Sequence, residues 1–258
     1  MLKIHFLGTG TSQGIPIIGS KHPVCLSDNP KDKRLRSSVL IQWLDKNYVI
    51  DCGPDFRQQM LMVGCKHLDG VLFTHEHADH TSGIDDIRPF FFKQGNIPLY
   101  ATDRVVNDLS RRFSYIFQTD NKYPGTPALD IHTIQKNTVF ALEGKKVIPI
   151  EVMHNQLPVM GFRIDDFAYL TDVKSIDNDQ LKKLKDCDVL VLNTLRIEPH
   201  PTHLNLEEAL EMVALLKPKR AYFTHISHLL GFHDECSKQL PDNVYLAYDK
   251  LEIHSNWH

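Results

Sequence analysis

The sequence predicts an α/β fold in which two β-sheets pack face to face with helices on the outside. Three observations predict it. Strand-like segments dominate each half of the chain, helical segments punctuate them, and the stretches rich in His and Asp lie where apolar strands end. Polar side chains would therefore gather at one rim of the sandwich.

Taken in order, LKIHFL (2–7) alternates like an opening strand and is followed by the turn-forming GTGTSQG. A loop containing Pro, Lys and Asp covers 16–36. SVLIQW (38–43) and NYVIDCG (47–53) read as a hairpin. FRQQMLMVG (56–64) has helical apolar spacing and ends at Gly64. DGVLFTHEH (69–77) is a buried strand, and IDDIRPFFF (84–92) a short helix or turn over its end. A short strand at 98–101, a helix at 104–117 and a loop at 118–130 rich in Pro and Gly follow.

The second half opens with strands at 145–154 and 160–172, and Asp177 is placed to cap a helix over 178–185. DVLVLNTL (188–195) is another buried strand. LNLEEALEMVALLK (204–217) is an amphipathic helix with acidic residues in its first turn, where they complement the helix dipole. Strands at 220–227 and 244–254 complete the pattern. No repeat, low-complexity segment or linker divides the chain, so its 258 residues are expected to form one domain.

Composition narrows the function classes. Apolar residues make up 42% and charged residues 24%, which argues for a folded core rather than disorder. The net charge of -3 gives no support to a bulk nucleic-acid or membrane binder. No stretch approaches the ~18 apolar residues of a membrane span. The opening MLKIHFLGTG is too short and strand-like for a secretory signal. Cys25, Cys52, Cys65, Cys187 and Cys236 are odd in number and scattered, as in a chain from a reducing cytoplasm.

Histidine is the outlier, with 15 copies concentrated in a few stretches. Residues 74–80 read T-H-E-H-A-D-H. Side chains two apart on an extended chain point the same way, so His75 and His77 can reach one ion. Asp79 and His80 follow after the chain turns and can hold a second ion beside the first. Imidazole with carboxylate suits Zn²⁺ or Mn²⁺, with Fe²⁺ or Ni²⁺ as further options. A solvated polar loop after a strand is the bland reading, and four ligand-type residues within six positions weigh against it.

This pattern resembles the metallo-β-lactamase superfamily over nearly the whole chain. The resemblance implies an αββα sandwich, two mixed sheets flanked by helices, with metals at one sheet edge. It also implies three further ligands at strand ends, and His154, Asp172 and His225 end KKVIPIEVMH, FAYLTD and RAYFTH in the required order. By this resemblance, His75, His77 and His154 bind the first metal, Asp79, His80 and His225 the second, and Asp172 bridges them. Asp51 in VIDCGPD either matches an acid that orients a ligand imidazole or is a turn-forming Asp before Gly53.

Such a dinuclear site makes hydroxide at neutral pH and clamps the oxygens of a phosphate or carbonyl centre. Asp79 is usually lacking in true β-lactamases, so the resemblance points instead to phosphodiesterases, tRNA 3′-processing enzymes and thioesterases. GTGTSQGIP (8–16), RLRSS (34–38) and HLNLEEA (203–209) favour a phosphodiesterase of a small cyclic or nucleotide-like substrate, attacked by a metal-bridging hydroxide. The third motif resembles one whose His protonates the leaving oxygen, here His203, with His200 as the fallback. Asp79 and His203 are thus the candidate catalytic residues. Arg88 and Phe90–Phe92 either touch substrate or, as favoured, form a helix cap with a core contact.

Within the superfamily, the chain is similar to phosphoribosyl 1,2-cyclic phosphate phosphodiesterases. That similarity implies a separate structural zinc on Cys-x-Cys-x-x-Cys plus a later His. The matching stretch is Ser20-Lys21-His22-Pro23-Val24-Cys25, with His228 retained. Two Cys positions are therefore Ser20 and His22. His22, Cys25 and His228 would make a weakened metal site, or the loop is held by packing, which is favoured.

The alternatives are a tRNA 3′-processing endonuclease, a glyoxalase-type thioesterase and a non-catalytic binding module. No long basic arm for tRNA lies between the ligand motifs, so nucleic acid is disfavoured as a partner. A homodimer is the default expectation for a soluble chain.

Overall fold

The structure is a computed structural model that describes residues 1–118, 120 and 123–255. Residues 119, 121 and 122 of the loop expected at 118–130 lie outside the described residues, as do 256–258. The chain forms β1 (Leu2–Gly8), β2 (Ser38–Trp43), β3 (Lys46–Ile50), β4 (Gly70–Leu72), β5 (Ile97–Ala101) and β6 (Leu129–Thr133). It continues with β7 (Phe140–Leu142), β8 (Lys145–His154), β9 (Leu157–Ile164), β10 (Phe167–Leu170), β11 (Val189–Asn193), β12 (Arg220–Thr224), β13 (Val244–Leu246) and β14 (Glu252–Ser255). Two seven-stranded sheets result, ordered β14-β1-β2-β3-β4-β5-β6 and β13-β12-β11-β10-β9-β8-β7. Both are mixed. β3 to β6 run parallel and β10 to β13 run parallel, while β1–β2, β2–β3, β8–β9 and β9–β10 are antiparallel.

Side-chain alternation explains the layering, because successive residues of a strand face opposite sides of its sheet. Val39, Ile41 and Trp43 of β2 join Val189 and Val191 of β11 between the sheets. Their neighbours turn outward. Leu40 packs with the helices Phe56–Val63 and Asp103–Arg112, and Leu190 and Leu192 pack with Ala209, Val213 and Leu216 of the helix Leu206–Leu216. A sheet covered on both faces needs apolar residues at consecutive positions, which is why β2 and β11 read as near-continuous apolar runs. The expected four-layer sandwich is therefore the observed one. Among the described residues, no helix is long and apolar enough to cross a membrane.

Several element boundaries differ from expectation. The strand expected over 69–77 stops at Leu72: the Phe73 amide still bonds Tyr100 O of β5 (2.9 Å), but the Thr74 amide leaves the ladder for Asp51 Oδ1 (2.9 Å). The strand expected over 160–172 is two, β9 and β10, broken where Asp165 takes φ 50°. The helix expected over 104–117 breaks at Phe113 (φ -120°, ψ 44°) into Asp103–Arg112 and Ser114–Phe117. Asp177 precedes only a four-residue helix, Asn178–Leu181, and its side chain makes no cap hydrogen bond. The last expected strand, 244–254, is β13 in one sheet and β14 in the other.

Candidate metal centre

The rim of the sandwich collects the ends of β4, β8, β10 and β12. The loop after β4 carries His75 and His77 and enters the short helix Ala78–Thr81 with Asp79 and His80. His154 ends β8, Asp172 follows β10, and His225 follows β12. Asp172 (φ 56°), His225 (φ 55°) and Asp51 (φ 65°) all take left-handed backbone conformations at these turns. A residue with a Cβ adopts that region at a cost, so it persists where surrounding contacts impose it. Gly53 is needed here because a Cβ on it would lie 2.1 Å from the Asp79 carbonyl oxygen.

The seven expected ligands converge. The ring centroids of His75 lie 4.5 Å from His77, 4.3 Å from His80 and 6.2 Å from His154. His77 and His154 are 5.4 Å apart, and His80 and His225 stack at 5.7 Å. His80 Nε2 is 3.1 Å from Asp79 Oδ2 and 3.2 Å from Asp172 Oδ2. His225 Nε2 is 3.4 Å from Asp172 Oδ1 and 3.7 Å from Asp79 Oδ2. Asp172 also brings a carboxylate oxygen within 4.8 Å of a ring nitrogen of His75 and of His154.

Each ring is fixed through its other nitrogen where a partner exists. Asp51 Oδ2 lies 2.7 Å from His80 Nδ1, and Asp51 also accepts from the Thr74 amide and hydroxyl. His154 Nδ1 lies 2.8 Å from Thr202 O, and His75 Nδ1 lies 3.0 Å from Thr74 Oγ1. What remains is informative. His75 Nε2, His80 Nε2 and both nitrogens of His225 are buried without a hydrogen-bond partner. Orphaned buried nitrogens are costly, and their convergence on two carboxylates is the donor set of a divalent cation.

The electrostatics agree. Burial works against an ionised Asp172, yet His225 and His80 outweigh it and hold its pKa well below the ordinary range. Burial likewise opposes a charge on His80, but Asp79, Asp172 and Asp51 together raise its pKa well above normal. Burial and the neighbouring His80 push His75 well down, leaving it neutral, the form that ligates. Buried carboxylates in this cluster demand positive charge. The trios His75–His80–Asp172, Asp79–His80–His225 and His154–Asp172–His203 each bring one ligand atom apiece within 4.8 Å of one another. The residues present therefore fit a metal site.

His203 belongs to the same cluster. Its ring lies 4.5 Å from His154 and 4.9 Å from His225, and its Nδ1 is 3.8 Å from Asp172 Oδ1. His200 packs behind it at 5.2 Å, with Nδ1 accepting from the Thr202 amide. Beside these residues a cavity of about 390 Å³ opens to solvent, lined by His77, His154, Asn155, Gln156, Leu157 and Thr202.

The candidates for a weakened second metal site, His22, Cys25 and His228, are arranged differently. His22 and His228 pack edge to face at 4.7 Å, while Cys25 is buried with Ile15 and Val24. His22 Nδ1 accepts from the Val24 amide, and these three residues are not among the trios with ligand atoms within 4.8 Å. Arg88 pairs with Asp85 at 2.6 Å, Phe90 packs on Phe56, and Phe92 is exposed. Two arginines beside the ligand loop, Arg104 and Arg112, were not legible in the sequence, because nothing in their spacing marks them.

Comparison with known proteins places the chain. Residues 46–226 match the family model described as a beta-lactamase superfamily domain. The octanoyltransferase of Porphyromonas gingivalis is 38% identical over 248 residues, 95% of this chain, and the chain spans only 50% of that protein's length. A solved diphosphatase of the PhnP family is 40% identical with TM-score 0.91, over 98% of this chain and 96% of that one. Zn(2+)-bound PqqB from Methylobacterium extorquens superposes with TM-score 0.82 over 98% of this chain and 99% of that one, and at 18% identity shares the fold. With this match, the two-sheet sandwich and the His/Asp cluster at its rim, the chain belongs to the metallo-β-lactamase superfamily.

Proposed function

We propose that the protein is a two-metal phosphodiesterase acting on a small cyclic or nucleotide-like phosphodiester. The observation that carries this reading is His203. Its imidazole is wedged between His154 and His225 at the metal centre, with Nδ1 buried and unpartnered. A carbonyl hydrolase has less need of a third-party proton donor placed there, whereas a poor alkoxide leaving group from phosphorus does.

In this reading His75, His77 and His154 hold one ion, Asp79, His80 and His225 the other, and Asp172 lies between them. When bound, the ion pair supplies a nucleophile from water at neutral pH and countercharge for phosphate oxygens. The chain does the rest. Asp51, Thr74 and the Thr202 carbonyl fix ring orientation. Burial and His225 push His203 down to about 3, so it rests neutral. An incoming phosphate brings the negative charge that favours protonation of that ring. His203 then gives its proton to the departing oxygen. The 390 Å³ cavity suits a ligand of mononucleotide size.

The test is hydrolysis of bis-p-nitrophenyl phosphate by protein carrying two Mn²⁺ or Zn²⁺ ions per chain. Activity is expected, and its absence in fully loaded protein refutes the reading. Diphosphate cleavage is the second reading, favoured by the 40%-identical diphosphatase. A diester and a nucleoside diphosphate assayed side by side separate the two. A tRNA substrate finds support in several partial matches named ribonuclease Z, among them that of Bradyrhizobium diazoefficiens, 33% identical over 33% of this chain and 23% of that protein.

A further inference from the structure

Glu76 sits between two ligands, His75 and His77, and its side chain turns away from them. On an extended segment the residue between two that point one way points the other. Its carboxylate is largely buried, with 20% of the side chain exposed, and Oε2 has no hydrogen-bond partner. Oε1 accepts from Arg104 Nη1 at 2.6 Å. The other arm of the same guanidinium donates to the Pro158 carbonyl. Pro158 stands opposite Met153 in the β8–β9 ladder, one pair from His154 and Leu157. One planar fork thus joins the loop of the first sheet to the hairpin of the second sheet that carries the remaining imidazole.

Arg104 does not act alone. It lies in the first turn of Asp103–Arg112, and Arg112 closes the same helix. Arg112 Nη2 donates to Glu76 O at 2.7 Å and to Thr81 Oγ1 at 2.9 Å, while its Nε pairs with Asp108 at 2.6 Å. Residues 104, 108 and 112 follow each other at intervals of four, so they form one stripe along the helix. That stripe grips both the side chain and the carbonyl of Glu76.

We propose that Arg104 is a positioning residue for the metal centre, holding the His75–His77 loop at a fixed distance from His154 by bridging Glu76 and the Pro158 carbonyl. The proposal rests on the ligand assignment above. Lysine replaces it only in part, because an ammonium can pair with one acceptor but does not span two in the fixed plane of a guanidinium.

The experiment is chelator-competition titration of Zn²⁺ and Mn²⁺, with melting of the metal-free protein alongside. His77→Ala and His225→Ala identify which of two binding steps belongs to which ion. Arg104→Met is expected to weaken the His77-dependent step by about 10–100-fold. The His225-dependent step and the metal-free melting temperature should stay as in wild type, with Arg104→Lys intermediate. Glu76→Gln, which keeps the loop's shape, should weaken the same step, and combining it with Arg104→Met should add little. Unchanged binding in both single variants overturns the proposal, as does equal weakening of both steps with a matching fall in metal-free melting. No substrate enters the measurement, so its failure is separable from absence of phosphodiesterase activity. If His77→Ala and His225→Ala do not each remove one ion, the ligand assignment fails instead.

Discussion

Asp51 uses both carboxylate oxygens to tie the ligand loop together, one toward the Thr74 amide and the other toward His80 Nδ1. Replacing it by Asn keeps the shape but places an amide donor or a weaker acceptor opposite that ring. Asp51→Asn should lower the affinity of the His80-containing metal site by about 10–100-fold, read by chelator competition. His203→Gln tests a different link. It should retain both ions, yet lose about 10²–10⁴ in kcat on a diester with a poor leaving group. Bis-p-nitrophenyl phosphate should lose far less, because p-nitrophenolate departs without help. The spacing of T-H-E-H-A-D-H, together with the family resemblance that pointed to His154, Asp172 and His225 at strand ends, made the convergence of these side chains at one rim foreseeable from the chain. Arg104 and the Thr202 carbonyl were not readable, because their contribution depends on contacts 28 and 48 residues distant in sequence. The same holds for Arg34 and His233, which meet at 3.1 Å across 199 positions.

At the scale of elements, apolar periodicity found those with one continuous environment. The helix Leu206–Leu216 was legible from its spacing, and its start is fixed by a reciprocal cap. Asn205 accepts from the Glu208 amide while Glu208 accepts from the Asn205 amide, both at 2.9 Å. Asn205→Ala should cost about 1 kcal/mol, a fall in Tm of roughly 2–4 °C in a chain of this size. Periodicity failed where the environment changes partway through a run. Residues 244–254 keep an apolar pattern while the chain leaves one sheet for the other, since both destinations bury side chains. β7 escaped notice because three residues, Phe140–Leu142, give too short a pattern. The break between β9 and β10 depends on Asp165 taking a left-handed conformation, which Asp tolerates better than most residues.

Over the whole molecule, two buried groups oppose each other in acid. Burial pushes Asp249 up to about 6, despite hydrogen bonds from the Leu35 amide and Thr9. Burial and Arg34 push His233 down to about 4. Asp249 therefore favours the fold at low pH and loses that contribution as pH rises through about 6. His233 favours the fold at neutral pH and loses its contribution as pH falls through about 4. Each slope is about 1.4 kcal/mol per pH unit, opposite in sign, so between these values they offset. Asp249→Asn should leave stability that rises with pH across this window, and His233→Gln stability that falls, both read by urea unfolding. Stripping the metals should also destabilise the fold. At free metal near 1,000 times Kd, each ion contributes about 4 kcal/mol, so chelation should lower Tm visibly without changing the far-ultraviolet spectrum at 20 °C.

The crossing of residues 247–251 from β13 to β14 has a mechanical meaning. Arg34 Nη1 donates to Ala247 O at 2.6 Å, and the Asp249 carboxylate accepts from Thr9 and Leu35, so the strap is laced to the first sheet along its length. Prising the two halves of the molecule apart would mean tearing that lacing and unzipping an edge strand together. A metal held by donors from both halves would thereby be shielded from breathing, and slow metal exchange would report rare global opening rather than a local gate.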